Sequence, residues 1–373
     1  MDGTAPAKIA NAPLDFTAFA RDLDSVRATV APFRDATDFR ALRSLAIACQ
    51  VAVLAGLGLS IWGLNPLSPL LLALAASTRW MVLGHHLCHG ALDGVPGVPD
   101  HWQSSGYARG WRRWLYWPDW IDPDAWHREH NQLHHAYTNE AADPDVPSRQ
   151  SVWLQQANWP LWCKSLVLLV IAANWRWVYY APNTAACAQD GNARLRDSQA
   201  ALIDRAAPER LWSPLSPAGA YLWRRSWLPY CAFTFGLLPL LVAPFGWQAS
   251  LWALVHLLIA EVVCALHTFA VIVPNHAGDD LLTFTDRARG KGHWYWRQIR
   301  ASCNYATGGL VNDWLHGWLN YQIEHHLWPD LTPRQYARLA PLVREVCARH
   351  GVPYVQQSIW RRVNVLRRVL TGA

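Results

Sequence analysis

Residues 44–84 read SLAIACQVAVLAGLGLSIWG, then LN, then PLSPLLLALAASTRWMVLG. The first run, Ser44–Gly63, carries no charged side chain, and the second, Pro66–Gly84, carries only Arg79, close enough to its end to snorkel. Each run is about the 20 residues that a helix needs to cross a hydrocarbon core of about 30 Å. Only Leu64 and Asn65 separate them, so two such helices must turn back on each other as a transmembrane hairpin. The pattern recurs at Trp227–Phe245 and Ala249–Val273, joined through Gly246 to Gln248. A fifth apolar stretch, Leu161–Ala173, contains Lys164. At about 1.5 Å per residue it reaches only about 20 Å, so it is read as interfacial or re-entrant.

Charge placement orients these spans. Of 33 Lys and Arg, six precede the first span, 13 lie between the hairpins and 13 follow the second, while neither hairpin turn is charged. The positive-inside rule then puts both termini and the middle region in the cytoplasm. The predicted architecture is an all-α integral membrane protein, with four transmembrane helices in two hairpins under a cytoplasmic helical cap. Its segments are a cytoplasmic N-terminal segment (1–43), hairpin 1 (44–84), a cytoplasmic region (85–226), hairpin 2 (227–273) and a cytoplasmic C-terminal region (274–373). The net charge of +6 thus reports membrane orientation, and no nucleic-acid partner is expected.

Composition agrees. Hydrophobic residues make up 52% of the 373 and charged residues 16%, well below the ~25% charge of a soluble domain. The mean hydropathy of -0.02 averages apolar spans with polar segments and excludes neither. Tryptophans at 111, 114, 117, 120, 153, 159, 162, 175 and 177 cluster beside the spans, where an amphipathic ring sits at headgroup level. No two of the eight cysteines form a CxxC pair, which argues against a zinc ribbon or a thiolate-held cluster; they are read as core residues. The 30 Arg against three Lys suggest a GC-rich bacterial genome, hence a bacterial inner membrane.

The 16 histidines are clustered where spans reach the cytoplasmic side. They form Gly84-His85-His86-Leu87-Cys88-His89, then His127-Arg128-Glu129-His130-Asn131-Gln132-Leu133-His134-His135, then Gln322-Ile323-Glu324-His325-His326, with His276 after the last span. On an α-helix, residues i and i+4 share a face, so His85 and His89 can address one metal ion and His130 and His134 another such position. A neighbour such as His135 points about 100° away and can serve a second ion beside the first; His325-His326 can do the same. His86 could replace His85 through an i,i+3 pair with His89, and His127 could replace His130. Such a donor set suits two first-row ions. Glu129 and Glu324 are expected to face elsewhere, and Asp143, Asp145, Asp279 and Asp280 could orient ligands from behind. His101, His256, His293, His316 and His350 are read as ordinary structural histidines. Glu261 and His267 lie within the last span, where ionisable groups are usually functional.

The succession HHLCH, HNQLHHAYTNEAADPDV, VPNHAGDD and NYQIEHHLWPDLTPRQYARLAPLVREVCARHGVPY, over roughly residues 65 to 355, resembles the membrane fatty acid desaturase family. The third box resembles the QxxHH form of its front-end and sphingolipid-type branch. The resemblance implies a histidine-held centre of two iron ions that uses O2 as co-substrate to introduce a C=C bond into an acyl chain, carried as an acyl-lipid or a thioester. Carried over by motif, the ligands are His85, His89, His130, His134, His135, His276, His325 and His326. There is no HPGG signature of a fused cytochrome b5 domain, so electrons are expected from a separate protein: a ferredoxin, cytochrome b5 or flavoprotein reductase. Rival readings are a di-iron lipid hydroxylase or carotenoid ketolase-like oxygenase and, from another class, a membrane zinc hydrolase or metal transporter. Residues 181–226 and the first 40 match no part of the family pattern.

Overall fold

The computed structural model describes residues 14–116, 121–189 and 212–373. Trp117, Trp120 and much of the expected 181–226 segment lie outside these residues. Among the described residues the chain is helical, and its nearest approach to a sheet is a single bridge between Asn304 and Gln356.

Helix α1 (Phe16–Val30) starts where the Asp15 side chain accepts hydrogen bonds from the Thr17 and Ala18 backbone N–H groups. Helix α2 (Ala36–Trp62) starts at a capping box of Asp35 and Asp38. Helix α3 (Leu67–Cys88) returns antiparallel to it. The second box lies on a helical run at 123–137, α4, whose cap Asp122 is fully buried and ion-paired with Arg113 and Arg225. Three long helices follow: α5 (Leu161–Ala188), α6 (Pro217–Phe245) and α7 (Trp247–His276). The chain closes with α8 (Lys291–Arg300), α9 (Gln322–Leu327), α10 (Pro333–Arg349) and α11 (Ile359–Thr371).

Helices α2, α3, α5, α6 and α7 are each long and apolar enough to cross a membrane. The reading of the fifth stretch as a short segment ending at Ala173 is therefore corrected. The helix continues through Arg176 because that guanidinium is fully buried, 3.4 Å from Glu261 on α7, and makes a further contact with the Cys264 sulfur. A charge that finds its partner inside the bundle does not end a helix, whereas the same charge read along the sequence does.

Small residues bring α2, α3 and α7 together. Ala73, Ala249, Ala253 and Ala260 sit in one buried cluster with Leu57, Leu72 and Leu257, and a Cβ at Gly56 would stand 2.9 Å from Leu72 Cγ. Close backbone approach of this kind is how helices associate where lipid removes the hydrophobic driving force. His256 pins the two hairpins, its Nδ1 2.9 Å from Ser60 Oγ and its Nε2 accepting from Asn65 N–H at 3.1 Å. The opposite face of α2 exposes Ile47, Val51 and Leu54.

At the other end of the bundle, α1 packs on α8 and α10 through a core of Phe19, Leu23, Ile299, Leu339 and Val343. N- and C-terminal segments therefore share one polar layer. Trp111, Trp153, Trp159 and Trp162 are exposed, as interfacial rings would be, but Trp175 is buried against Trp80 and Tyr180. Six of the eight cysteines are buried.

Candidate metal centre

The histidine-bearing helices are not uniform α-helices. Helix α3 widens into a π turn over Arg79–Gly84 just before His85, and α4 is π-helical across His127–His134. Such turns recur at functional sites because they re-aim side chains without breaking the helix. In α4 the effect is decisive. An i to i+5 hydrogen bond from His135 N–H to the His130 carbonyl sets these two residues over one another.

The eight expected histidines fall in two adjacent groups. His85, His89, His130, His135 and His325 form one; His134, His276 and His326 form the other, and the potential ligand atoms within each group lie within 4.8 Å of one another. The expected pairing of His130 with His134 is thus corrected, because the π turn sends His130 and His135 to one group and His134 to the other. The neighbours His134-His135 and His325-His326 do split between groups. His86 lies outside both, its Nε2 bonded to the Gly317 carbonyl at 3.1 Å, and so does His127, whose Nδ1 takes the Asn131 amide at 2.9 Å.

In the first group imidazole nitrogens face each other. His85 Nε2 is 2.8 Å from His325 Nε2, which is 3.1 Å from His135 Nε2, itself 3.2 Å from His130 Nε2. The buried His89 Nε2 has no partner. Lone pairs gathered this way repel unless protons or a cation lie between them, and a second proton on these rings is disfavoured. Burial first, then the neighbouring imidazoles, hold His89, His130, His135 and His325 well below the usual histidine range. Neutral imidazoles converging in a buried pocket are competent metal ligands.

The second group is anchored from behind. His134 Nδ1 meets Asp143 Oδ1 at 3.0 Å, His276 Nδ1 donates to the Ala301 carbonyl at 3.1 Å, and His326 Nδ1 lies 3.1 Å from Thr138 Oγ1 and Gln298 Oε1. With Nδ1 occupied outward, Nε2 is turned inward, the arrangement that fixes metal-ligand tautomers. His326 Nε2 has no partner, and His276 Nε2 faces the Gln322 amide at 2.9 Å. Burial alone would lower His134, but the Asp143 carboxylate outweighs it and raises the imidazole, while Asp143 is lowered against its own burial by His134. The groups share a wall, with the His135 and His326 rings stacked at 4.3 Å. Orphaned nitrogens, neutral rings and outward anchors together fit a two-metal, imidazole-rich site.

The supporting acids divide. Asp143 backs His134, and Asp145 accepts from Tyr179 Oη at 2.8 Å and Asn183 at 3.0 Å. Asp280 instead pairs with Arg362 at 2.7 Å, and Asp279 is exposed. Glu324 faces away as expected, held by Asn304 at 2.8 Å and Tyr354 at 3.0 Å; burial raises its carboxyl to about 7. Glu129 does not. It is fully buried, grouped with His130 and Asp145, and raised well above the carboxylate range by burial and by Asp145. It lies within the π turn, where α-helical periodicity carries no sign of its neighbours. Glu261 serves Arg176, Trp177 and Tyr230, and His267 bonds the Leu315 carbonyl; neither touches the groups.

A cavity of about 730 Å³ runs from His85, His130, His134 and His276 between α5 and α7, walled chiefly by aliphatic and aromatic side chains. Nothing in the sequence pattern indicated it, because it is assembled from residues of α5, α7 and the segment before α5.

The fatty acid desaturase family model matches residues 60–358. The chain is 27% identical over 361 residues to the NADPH-dependent stearoyl-CoA 9-desaturase of Mycobacterium tuberculosis, covering 92% of this chain and 76% of the relative. It is 26% identical over 324 residues to Delta(5) fatty acid desaturase A of Dictyostelium discoideum, covering 82% of this chain and 63%, under two thirds, of that protein. Over 75 residues it is 43% identical to fatty acid desaturase 3 of Bos taurus, 20% of this chain and 17% of the relative. No solved structure matches. With the family pattern spanning most of its length, from within the first hairpin to beyond the third histidine box, the chain belongs to the fatty acid desaturase family.

Proposed function

We propose that the chain is an O2-dependent fatty acyl desaturase whose two histidine groups hold two iron ions. One ion is held by His85, His89, His130, His135 and His325, the other by His134, His276 and His326. The observation that carries this reading is the pair of adjacent, buried imidazole groups at the head of an apolar cavity. Iron in such a site supplies what side chains cannot, the two-electron oxidation of an unactivated C–H pair by O2. In balance, –CH2–CH2– with O2, two electrons and two protons gives –CH=CH– and two waters.

The chain's own residues do the rest. Asp143, Ala301, Thr138 and Gln298 fix the orientation of the second group. The apolar walls hold an alkyl chain in register with the histidines and keep out water, so placement outweighs acid–base assistance. The electron donor is a separate protein in this reading, a ferredoxin, cytochrome b5 or flavoprotein reductase; the mycobacterial relative is named as NADPH-dependent.

We further propose four crossings of a bacterial inner membrane, with the site on the cytoplasmic side. Helix α5 packs against α11 near its start and against α4 and α6 near its end, so both ends meet the layer that holds the histidines. An even number of crossings follows if α5 lies along that layer. Mass-spectrometric lipid profiling of an expressing host, with metal analysis of the purified protein, tests the function. A new double bond and about two irons per chain are expected. Tightly held zinc with no O2 consumption would overturn it, and an alcohol product would make it a hydroxylase.

A further inference from the structure

The long wall of the cavity is α5, and the chemistry of its open side bears on what carries the acyl chain. Leu166 and Val170 line the cavity yet are 54% and 58% exposed, and Trp153 across the opening is 53% exposed. The cavity therefore opens sideways, through an apolar surface that continues along α5 at Leu169. That surface belongs to a helix apolar enough to lie in a bilayer.

A coenzyme or carrier-protein thioester would bring phosphates to this opening, and phosphates call for exposed cations. The two stretches that flank the side opening, residues 145–154 and 161–170, contain two cations, and both are turned away. Arg149 Nη1 donates to the carbonyls of Glu140 and Ala141 at 3.0 and 3.3 Å. Lys164 Nζ donates to the carbonyls of Gln155 and Thr371 at 2.8 and 3.0 Å. Among the described residues no Lys or Arg lines the cavity, and its one carboxylate, Asp145, disfavours an anionic carrier.

Resting on the desaturase reading, we infer that the substrate is an acyl chain esterified in a membrane lipid. It enters sideways from the bilayer between Trp153 and the Leu166–Val170 face, and its headgroup stays at the interface outside the cavity. Membranes of an expressing host, depleted of ATP and free CoA to stop acyl exchange, are supplied with NADPH and one of three isotope-labelled saturated probes: a diacyl-phosphatidylcholine, the acyl-CoA or the free acid. Label in an unsaturated chain still esterified to phosphatidylcholine, with no conversion of the other two, is expected. Conversion of acyl-CoA or free acid in preference to the phospholipid overturns the inference while leaving the desaturase reading intact. No conversion of any probe, with no new double bond in the host's own lipids, removes the desaturase reading and this inference with it. Val170→Trp, which narrows the side opening, should lower phospholipid conversion by about tenfold or more with iron content unchanged. Wild-type conversion by that variant overturns lateral entry.

Discussion

The His135 backbone N–H donates to the His130 carbonyl five residues back. That single i to i+5 bond decides which histidines act together. In an α-helix His130 and His134 would share a face; in this π turn His130 shares a group with His135, and His134 joins His276 and His326.

Metal stoichiometry reads this partition directly. His130→Ala and His135→Ala should each reduce iron from two per chain to about one, and the double variant should lose little more, since both strip the same ion. His134→Ala combined with His135→Ala should instead lose both. Iron analysis of the purified variants checks this; additive loss for the 130/135 pair would return the site to the α-helical pairing.

The anchor behind His134 makes a graded prediction. Asp143→Asn keeps a hydrogen-bond acceptor beside Nδ1 but removes the charge that raises the imidazole. Loss of such an outer partner typically costs about 10–100-fold in metal affinity. Chelator competition on the purified protein should show weakening in that range, at one of the two sites. An unchanged competition curve would mean that His134 is held by packing alone.

These cases also mark how far the sequence could be read. His85 and His89 were legible because the last turns of α3 keep helical spacing, with ring centroids 4.9 Å apart. The neighbour rule for His134-His135 and His325-His326 held because adjacent side chains diverge widely in an α turn and a π turn alike. Partners within α4 were not legible, because a π turn is selected by tertiary packing and leaves no periodic trace. Glu129 was misread with it. The fifth apolar stretch was read as stopping at Ala173, short of Arg176, whose partner Glu261 is 85 residues away in sequence and is brought to 3.4 Å only by the fold. The cavity has no motif because its walls come from separate segments.

Arg362 on α11 supports the loop that carries His276. Its fully buried guanidinium donates to the carbonyls of Pro274 and Ala277 and to Asp280 at 2.7 Å. Arg362→Met would leave those two carbonyls unpaired, at about 1–3 kcal/mol each. A clear fall in the melting temperature of the detergent-purified protein is expected, with partial loss of iron. Asp280→Asn should cost less, because the Asp280 side chain is 37% exposed and solvent screens its pairing.

Removing the metals should itself destabilise the fold. Without cations the facing nitrogens of His85, His130, His135 and His325 remain 2.8 to 3.2 Å apart, held only by hydrogen bonds between neutral rings. A ligand present at 100 times its dissociation constant stabilises by about 2.7 kcal/mol. Chelation should therefore lower the melting temperature, and added Fe(II) should restore it. If apo and loaded protein melted together, these groups would be a preformed polar core that needs no ion.

Topology gives the last test. Leu64 and Phe245 lie at the two hairpin turns and are 60% and 65% exposed; Trp360 opens α11 and Trp162 opens α5, at 80% and 69%. Cys163 and Cys231 are the two native thiols that are not buried, so both are first replaced by alanine. Each of the four positions is then changed singly to cysteine and intact cells are treated with a membrane-impermeant thiol reagent. Leu64→Cys and Phe245→Cys should label, while Trp360→Cys should label only after permeabilisation, because the turns carry no charge and the basic segments stay inside. Phe245→Cys decides the role of α5, because a crossing by α5 would bring the second hairpin turn to the inside. Lys164, two residues beyond Trp162, is bonded to the carbonyl of Thr371 near the chain's C-terminus, so Trp162→Cys should behave as Trp360→Cys does. If Leu64→Cys labels in intact cells and Phe245→Cys does not, α5 crosses and the count of crossings is five.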